Sequence, residues 1–242
     1  FPLAFTLFPN FADRGYTLAR AVGLLLWGWL FWMLASLGVL RNDLGGLLFA
    51  FIILLGLSLW SLMTENWSLI TDLKNWFSSH KPLIITAEIL FLLTFAFMAF
   101  VRASNPEATG TEKPMELAFI NSILRSPTFP PNDPWMSGYS ISYYHFGYIM
   151  TAMLARLTGV SGNIAFNLML ALVFALAAAA SYGIHYNLLC AYTGRQDRYT
   201  STQVDTETST HVDTHTGTQV DTEHATRNTG HRSLNTGYWA LA

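Results

Sequence analysis

Residues Leu18–Leu40, LARAVGLLLWGWLFWMLASLGVL, decide the fold. Apart from Arg20 near its start, the run carries no charge. About 20 apolar residues cover the roughly 30 Å hydrocarbon core of a bilayer, so the run reads as a membrane-spanning helix. A polar turn, Arg41-Asn42-Asp43, follows it and leads into a second apolar run, Leu44–Met63. Further runs at Leu83–Val101, Tyr143–Thr158 and Asn163–Leu189 read as a third, fourth and fifth span. The expected architecture is therefore all-α, a polytopic transmembrane helix bundle of about five spans. One long extramembrane loop, residues 102–142, is expected to carry a juxtamembrane helix.

Composition points the same way. The 242 residues are 52% hydrophobic and only 12% charged, against about 25% charged in soluble domains. A net charge of −2 excludes a nucleic-acid partner, because such binders need a basic face to displace phosphate counterions. The one cysteine, Cys190, excludes an intramolecular disulfide framework and reads as a small hydrophobe near the end of an apolar run. The chain opens at FPLAF without a Met or a cleavable signal, so it reads as an N-terminal portion or a fragment.

Around the spans, residues 1–17 are expected at the interface and residues 18–190 form the transmembrane domain. The connector TENWSLITDLKNWFSSHKP (64–82) is amphipathic, with Trp67 and Trp76 placed to lie in the headgroup plane. Counting alternate sides groups Arg14, Arg20, Lys74, Lys81 and Arg156 on one face, and Arg41, Arg102, Lys113 and Arg125 on the other. The second set lies mostly in the long loop, which is therefore expected outside the cytoplasm of a multi-pass cell-membrane protein. In the last span Ala171, Ala175, Ala179 and Gly183 recur every four residues, a stripe that lets another helix approach closely. From Thr202 three imperfect octapeptides, TQVDTETS, THVDTHTG and TQVDTEHA, replace the apolar pattern. They cannot bury enough apolar surface to fold, so residues 191–242 are expected to be a disordered tail. The natural frame is expected to be interrupted near residue 190.

Chemistry has three places to live. Glu88 lies inside the third span; an intramembrane acid is functional by default, although it sits within two turns of the interface and can pair with a nearby cation. In TEKPMELAFINSILRS (111–126), Thr111 is a plausible N-cap and Pro114 suits the first turn. Met115, Phe119, Ile120, Ile123 and Leu124 then share one face, as in a helix resting on the membrane surface. Glu112 and Glu116 stand at its start, either complementing the helix dipole or serving as general base or metal ligand. The third place is FPPNDPWMSGYSISYYHFGY (129–148), whose prolines impose an extended path. Trp135, Tyr139, Tyr143 and Tyr144 fit an interfacial aromatic belt. Asp133, in the proline-stiffened turn, and His145, at the span entrance, fit a site wall better, since irregular backbone at membrane level must pack on protein or line a wet cavity.

EILF (88–91), Arg102, NPE (105–107), EKPME (112–116), FINSILRS (119–126), PPNDPW (130–135) and SGYSISYYHFGY (137–148) resemble the YYY-type (Chlor-Arch YYY domain) membrane protein family. The N-terminal FPNFADRGYTLARAVGLLLWGWLFWML (8–34) is similar to that family's first segment. His145 stands where the signature has its third Tyr. The likeness covers roughly residues 1–190 and leaves the octapeptides outside. A more distant likeness links the loop to polyprenol-dependent membrane glycosyltransferases, in which a loop carboxylate serves as base or binds a divalent metal beside a lipid-phosphate sugar. It implies Glu112, Glu116 and Asp133 as catalytic acids. It also implies Arg102 and Lys113 on phosphate, Tyr143, Tyr144 and His145 around the sugar, and a polyprenyl-phosphate sugar donor. The alternatives are a transporter or lipid-handling protein built on Glu88, or a non-enzymatic assembly subunit.

Overall fold

The computed structural model describes the backbone of residues 1–63 and 68–212, and the side chains of residues 1–62 and 70–194. Eight helices follow in order among the described residues: α1 (Pro2–Leu7), α2 (Ala19–Ser36), α3 (Leu44–Met63), α4 (Ser68–Ser79), α5 (Lys81–Ser104), α6 (Lys113–Arg125), α7 (Phe146–Thr158) and α8 (Gly162–Val212). The only extended pairing among them is an isolated bridge between Asn132 and Ser140. The chain divides into two compact units, Phe1–Gly183 and Ile184–Ala242. The all-α membrane-bundle expectation holds.

Among the described residues four helices are long and apolar enough to cross a membrane: α2, α3 from Leu44 to Leu62, α5, and α8 from Gly162 to Gly194. The fourth expected span, Tyr143–Thr158, is corrected. α7 has 13 residues, about 20 Å at 1.5 Å per residue, well short of the hydrocarbon thickness. Both of its ends lie against α6: Tyr148 reaches Glu116 at the start of α6, and Arg156 donates to the Leu124 carbonyl at its end (2.9 Å). Gly159, at φ 72°, closes α7 in the left-handed conformation. Gly162 then abuts Asn121 of α6, so α8 starts on the side where α7 began.

The core of the first unit joins α2 (Trp27, Phe31, Ala35), α3 (Leu47, Ala50), α6 (Phe119, Ile123) and α7 (Ile149, Ala152, Met153), with Phe129 and Ile141 inserted from the loop. The predicted apolar face of α6 is thus real, yet it packs on α7 and the core, and so serves as more than a membrane-surface face. The polar turn after α2 latches onto the end of α6. Buried Asn42 donates through Nδ2 to the carbonyls of Ile123 and Ser126, both at 2.7 Å, and its own carbonyl accepts from Arg156. These contacts satisfy C-terminal carbonyls that a helix cannot satisfy internally.

Residues 1–17 form a packed cap. Asp13 is fully buried; its carboxylate accepts the backbone N–H groups of Gly15 (3.0 Å) and Thr17 (3.2 Å) and the Thr17 hydroxyl (2.6 Å). Trp76 is corrected from a headgroup anchor to a buried residue, enclosed by the rings of Phe1, Phe5, Tyr16, Phe77 and His80. Trp67 lies outside the described residues. The small-residue stripe is buried within the chain itself: Ala171, Ala175 and Ala179 are covered, and a Cβ at Gly183 would stand 1.8 Å from the Thr17 hydroxyl. Where disorder is expected from residue 191, the backbone stays helical to Val212, in the second octapeptide; a helix already nucleated extends at one hydrogen bond per residue. The rest of the octapeptides lie outside the described residues.

Candidate functional site

The side chains that carry the chemical expectation gather where α6 starts and α7 starts. α6 begins one residue later than expected. Glu112, and not Thr111, is its N-cap residue, Pro114 lies in the first turn, and Glu116 completes that turn with its N–H on the Glu112 carbonyl at 3.0 Å. One turn further, Phe119 is buried and serves as the floor of a ring cluster. Tyr143 lies over it at 5.8 Å between centroids, Tyr148 at 5.7 Å and Trp135 edge-on at 5.4 Å. Tyr144 adds to this platform, 3.9 Å from the Tyr143 ring and 6.5 Å from that of Tyr148. Trp135, Tyr143 and Tyr144 keep exposed ring surface.

Hydroxyls and acids share this surface. The Tyr148 hydroxyl points to Glu116 Oε1 at 3.4 Å, and the Tyr143 hydroxyl donates to that of Tyr144 at 2.8 Å. The bond to Tyr144, with lesser contributions from partial desolvation and from the charges of Tyr144, Glu112 and Glu116, pushes the Tyr143 phenol up to about 12. Tyr143 thus stays a neutral donor throughout the physiological range. On the other side of the tyrosine pair, a cleft of about 320 Å³ is lined by Trp29, Trp32, Tyr143, Tyr144, His145 and Phe146. His145 holds the N-cap position of α7, with Nδ1 2.8 Å from the Tyr143 carbonyl.

Asp133 has a different task. Its Oδ1 accepts the backbone N–H groups of Trp135 (2.8 Å) and Met136 (2.9 Å), and its own N–H donates to the Tyr139 carbonyl (2.8 Å). It folds the turn that delivers Trp135 onto Phe119, the local capping typical of an Asp side chain. The Ser122 hydroxyl, donating to the Asn132 carbonyl, and the Ser126 hydroxyl, accepting the Asn132 N–H at 2.9 Å, pin that turn to α6.

Arg102 and Glu88 are occupied elsewhere. Arg102 donates from Nε (2.9 Å) and Nη2 (2.6 Å) to the Asn167 amide oxygen on α8. Lys113 is half-buried at the first position of α6. Glu88 accepts the Tyr16 hydroxyl at 2.6 Å and forms an ion pair with Arg20, whose guanidinium lies 4.4 Å from the Phe91 ring centroid. The pairing alternative for this intramembrane acid is the one observed. Among the described residues no group of three or more His, Cys, Asp or Glu is placed to hold a metal ion.

Sequence reasoning missed Phe119 as the floor, Tyr148 as the partner of Glu116, and the contribution of Trp29 and Trp32. Tyr148 carries a readable signal, an aromatic in the first turn of α7 four residues after Tyr144. The tryptophans carry none, since nothing in an apolar span marks which ring faces a cleft. No curated protein and no solved structure matches the chain. One family model does, across residues 26–227, starting inside α2 and running on through all three octapeptides, which were expected to lie outside the family likeness. That match covers most of the chain, which therefore belongs to the family described as uncharacterized membrane protein (DUF2298).

Proposed function

We propose that this membrane protein takes part in glycosyl transfer from a polyprenyl-phosphate sugar at the extracytoplasmic membrane surface, with Glu116 as the leading candidate for general base. The observation that carries the reading is the convergence of Glu116 with Tyr148, Tyr143 and Tyr144 above buried Phe119. Exposed ring faces give a sugar an apolar surface to stack on, and neutral phenols beside them supply directional donors. A carboxylate at their edge can take a proton from an acceptor hydroxyl. The bilayer supplies the donor, because a polyprenyl carrier is delivered laterally at this depth.

Lys113, beside Glu112, is the cation suited to a carrier phosphate. A divalent cation such as Mg²⁺ needs only one or two carboxylates when substrate phosphates complete its shell. Glu112 would hold it, leaving Glu116 free as the base, and it would supply charge neutralisation at the phosphate. The transport alternative rested on Glu88, which is paired with Arg20 and Tyr16. The assembly alternative rested on the α8 stripe, whose alanines are buried inside the chain.

The test is transfer of labelled sugar from a polyprenyl phosphate in membranes containing the full-length protein. Glu116→Gln is expected to lower the rate by about 100-fold or more, in the range of a lost general base. Asp133→Asn, which keeps an oxygen acceptor for the turn, is expected to stay within a few-fold of the parent. Full activity in both Glu112→Gln and Glu116→Gln overturns the proposal.

A further inference from the structure

We propose that an anionic bilayer phospholipid seats on the seam between α5 and α8, with its phosphate on Arg102 and one chain in the apolar groove above it. This site shares no residue with the tyrosine cluster, and the inference stands without the transfer reading.

The groove has two joined parts. Near the end of α5, Ala99, Ala103 and Leu168 wall a recess of about 250 Å³ beside Arg102. Leu168 also lines the adjoining cleft of about 350 Å³ between α5, α7 and α8, whose wall is almost entirely apolar and includes Phe91, Phe95 and Leu172. From Arg102 back to Phe91 along α5 is a rise of about 16 Å, about half the hydrocarbon thickness, the depth of one leaflet. Its length matches a single lipid chain.

The occupant is chosen by charge. Arg102 stands in the last turn of α5, where a span of this length reaches the headgroups. Among the described residues its hydrogen bonds go to the uncharged Asn167 amide and none goes to a carboxylate. Two donors of the guanidinium fork serve Asn167, and the others can meet phosphate oxygens. Basic side chains at a membrane surface attract anionic lipid. α5 is also the least buried of the four spans. Helices in lipid gain no hydrophobic drive to close such a gap, so a chain that fills it restores the lost dispersion contacts.

The experiment uses purified full-length protein in detergent, with native mass spectrometry and thermal unfolding as readouts. The probes are dioleoyl phosphatidic acid, dioleoyl phosphatidylcholine and inorganic phosphate. Phosphatidic acid is expected to bind and raise the unfolding temperature, with phosphatidylcholine weaker and inorganic phosphate without effect. Arg102→Gln is expected to weaken phosphatidic acid at least tenfold, and Arg102→Lys to restore most of it. Thr158→Phe places a ring in the groove from an exposed position of α7; it is expected to weaken lipid binding while the parent unfolding temperature without lipid is kept. Equal protection by inorganic phosphate would show an ion site with no role for a chain and overturns the proposal. Unchanged phosphatidic acid binding in Arg102→Gln or in Thr158→Phe overturns it too. So does a groove substitution that changes only self-association.

Discussion

Tyr143 shows how one hydroxyl is set by its neighbours. The phenol sits at about 12 instead of its ordinary 10, chiefly because it donates to the Tyr144 oxygen. A raised value means that the folded state holds this proton more tightly than the unfolded state. The stabilisation is present in full below pH 10 and is lost as pH rises toward 12. Tyr144→Phe removes the acceptor, so the Tyr143 midpoint is expected to fall back toward 10 while the ring platform persists. A fluorotyrosine label at position 143, followed by ¹⁹F NMR against pH, reads the midpoint directly; no movement on that substitution would mean that the hydroxyl pair does not set it. At this scale the sequence was a partial guide. Glu112, Glu116, Tyr143, Tyr144 and His145 could be named from membrane context alone, and the structure groups them. Asp133 could be named but not interpreted, because an acid in a Pro-rich turn reads alike whether it binds substrate or its own backbone. Asp13, fully buried in the N-terminal cap, escaped notice because it caps its own turn, accepting the Gly15 and Thr17 N–H groups and the Thr17 hydroxyl, which hydropathy and spacing do not reveal.

Among the elements, the most consequential contact is the latch between the Arg41–Asp43 turn and α6. Asn42 is buried and bonds two carbonyls at 2.7 Å, while Arg156 bonds a third. Truncation to Asn42→Ala would leave the Ile123 and Ser126 carbonyls buried and short of partners. The expected cost is about 2 kcal/mol, measurable as a lowered unfolding midpoint in detergent. A shift no larger than that of an exposed control such as Arg41→Ala would show that the latch carries no stability. Element existence was legible here because hydropathy and period are local properties: α2, α3, α5, α6 and the apolar part of α8 overlap the runs that the pattern marks. The fate of α7 was not legible. Its run of apolar residues and its aromatics match a span entrance, and only the bond of Arg156, near its end, to the Asn42 carbonyl in the turn after α2 shows that it returns to the side from which it came.

That return changes the topology of the whole chain. With α7 removed as a span, Arg156 moves to the side of Arg41, Arg102, Lys113 and Arg125. Arg14, Arg20, Lys74 and Lys81 then face them from the other side, and the charge balance no longer orients the protein. Relative sidedness is fixed by contacts instead. Asn42 touches Ile123 and Ser126, and Arg102 touches Asn167, which puts the turn after α2, the end of α5, α6 and the start of α8 on one side. Phe1, Phe5 and Tyr16 enclose Trp76, which puts the N-terminal cap and α4 together on the other. Single cysteines in a Cys190→Ser background test this arrangement with a membrane-impermeant maleimide applied to intact cells and to inverted vesicles. Arg41→Cys and Gly110→Cys are expected to label from the same side, and Ser79→Cys from the opposite one. Labelling of the first two in intact cells is the outcome the transfer reading requires, because it exposes the Glu116 cluster to the extracytoplasmic surface. Opposite labelling of positions 41 and 110 would break the fold described above. Joint labelling of both from the cytoplasmic side would keep the fold and refute an extracytoplasmic reaction.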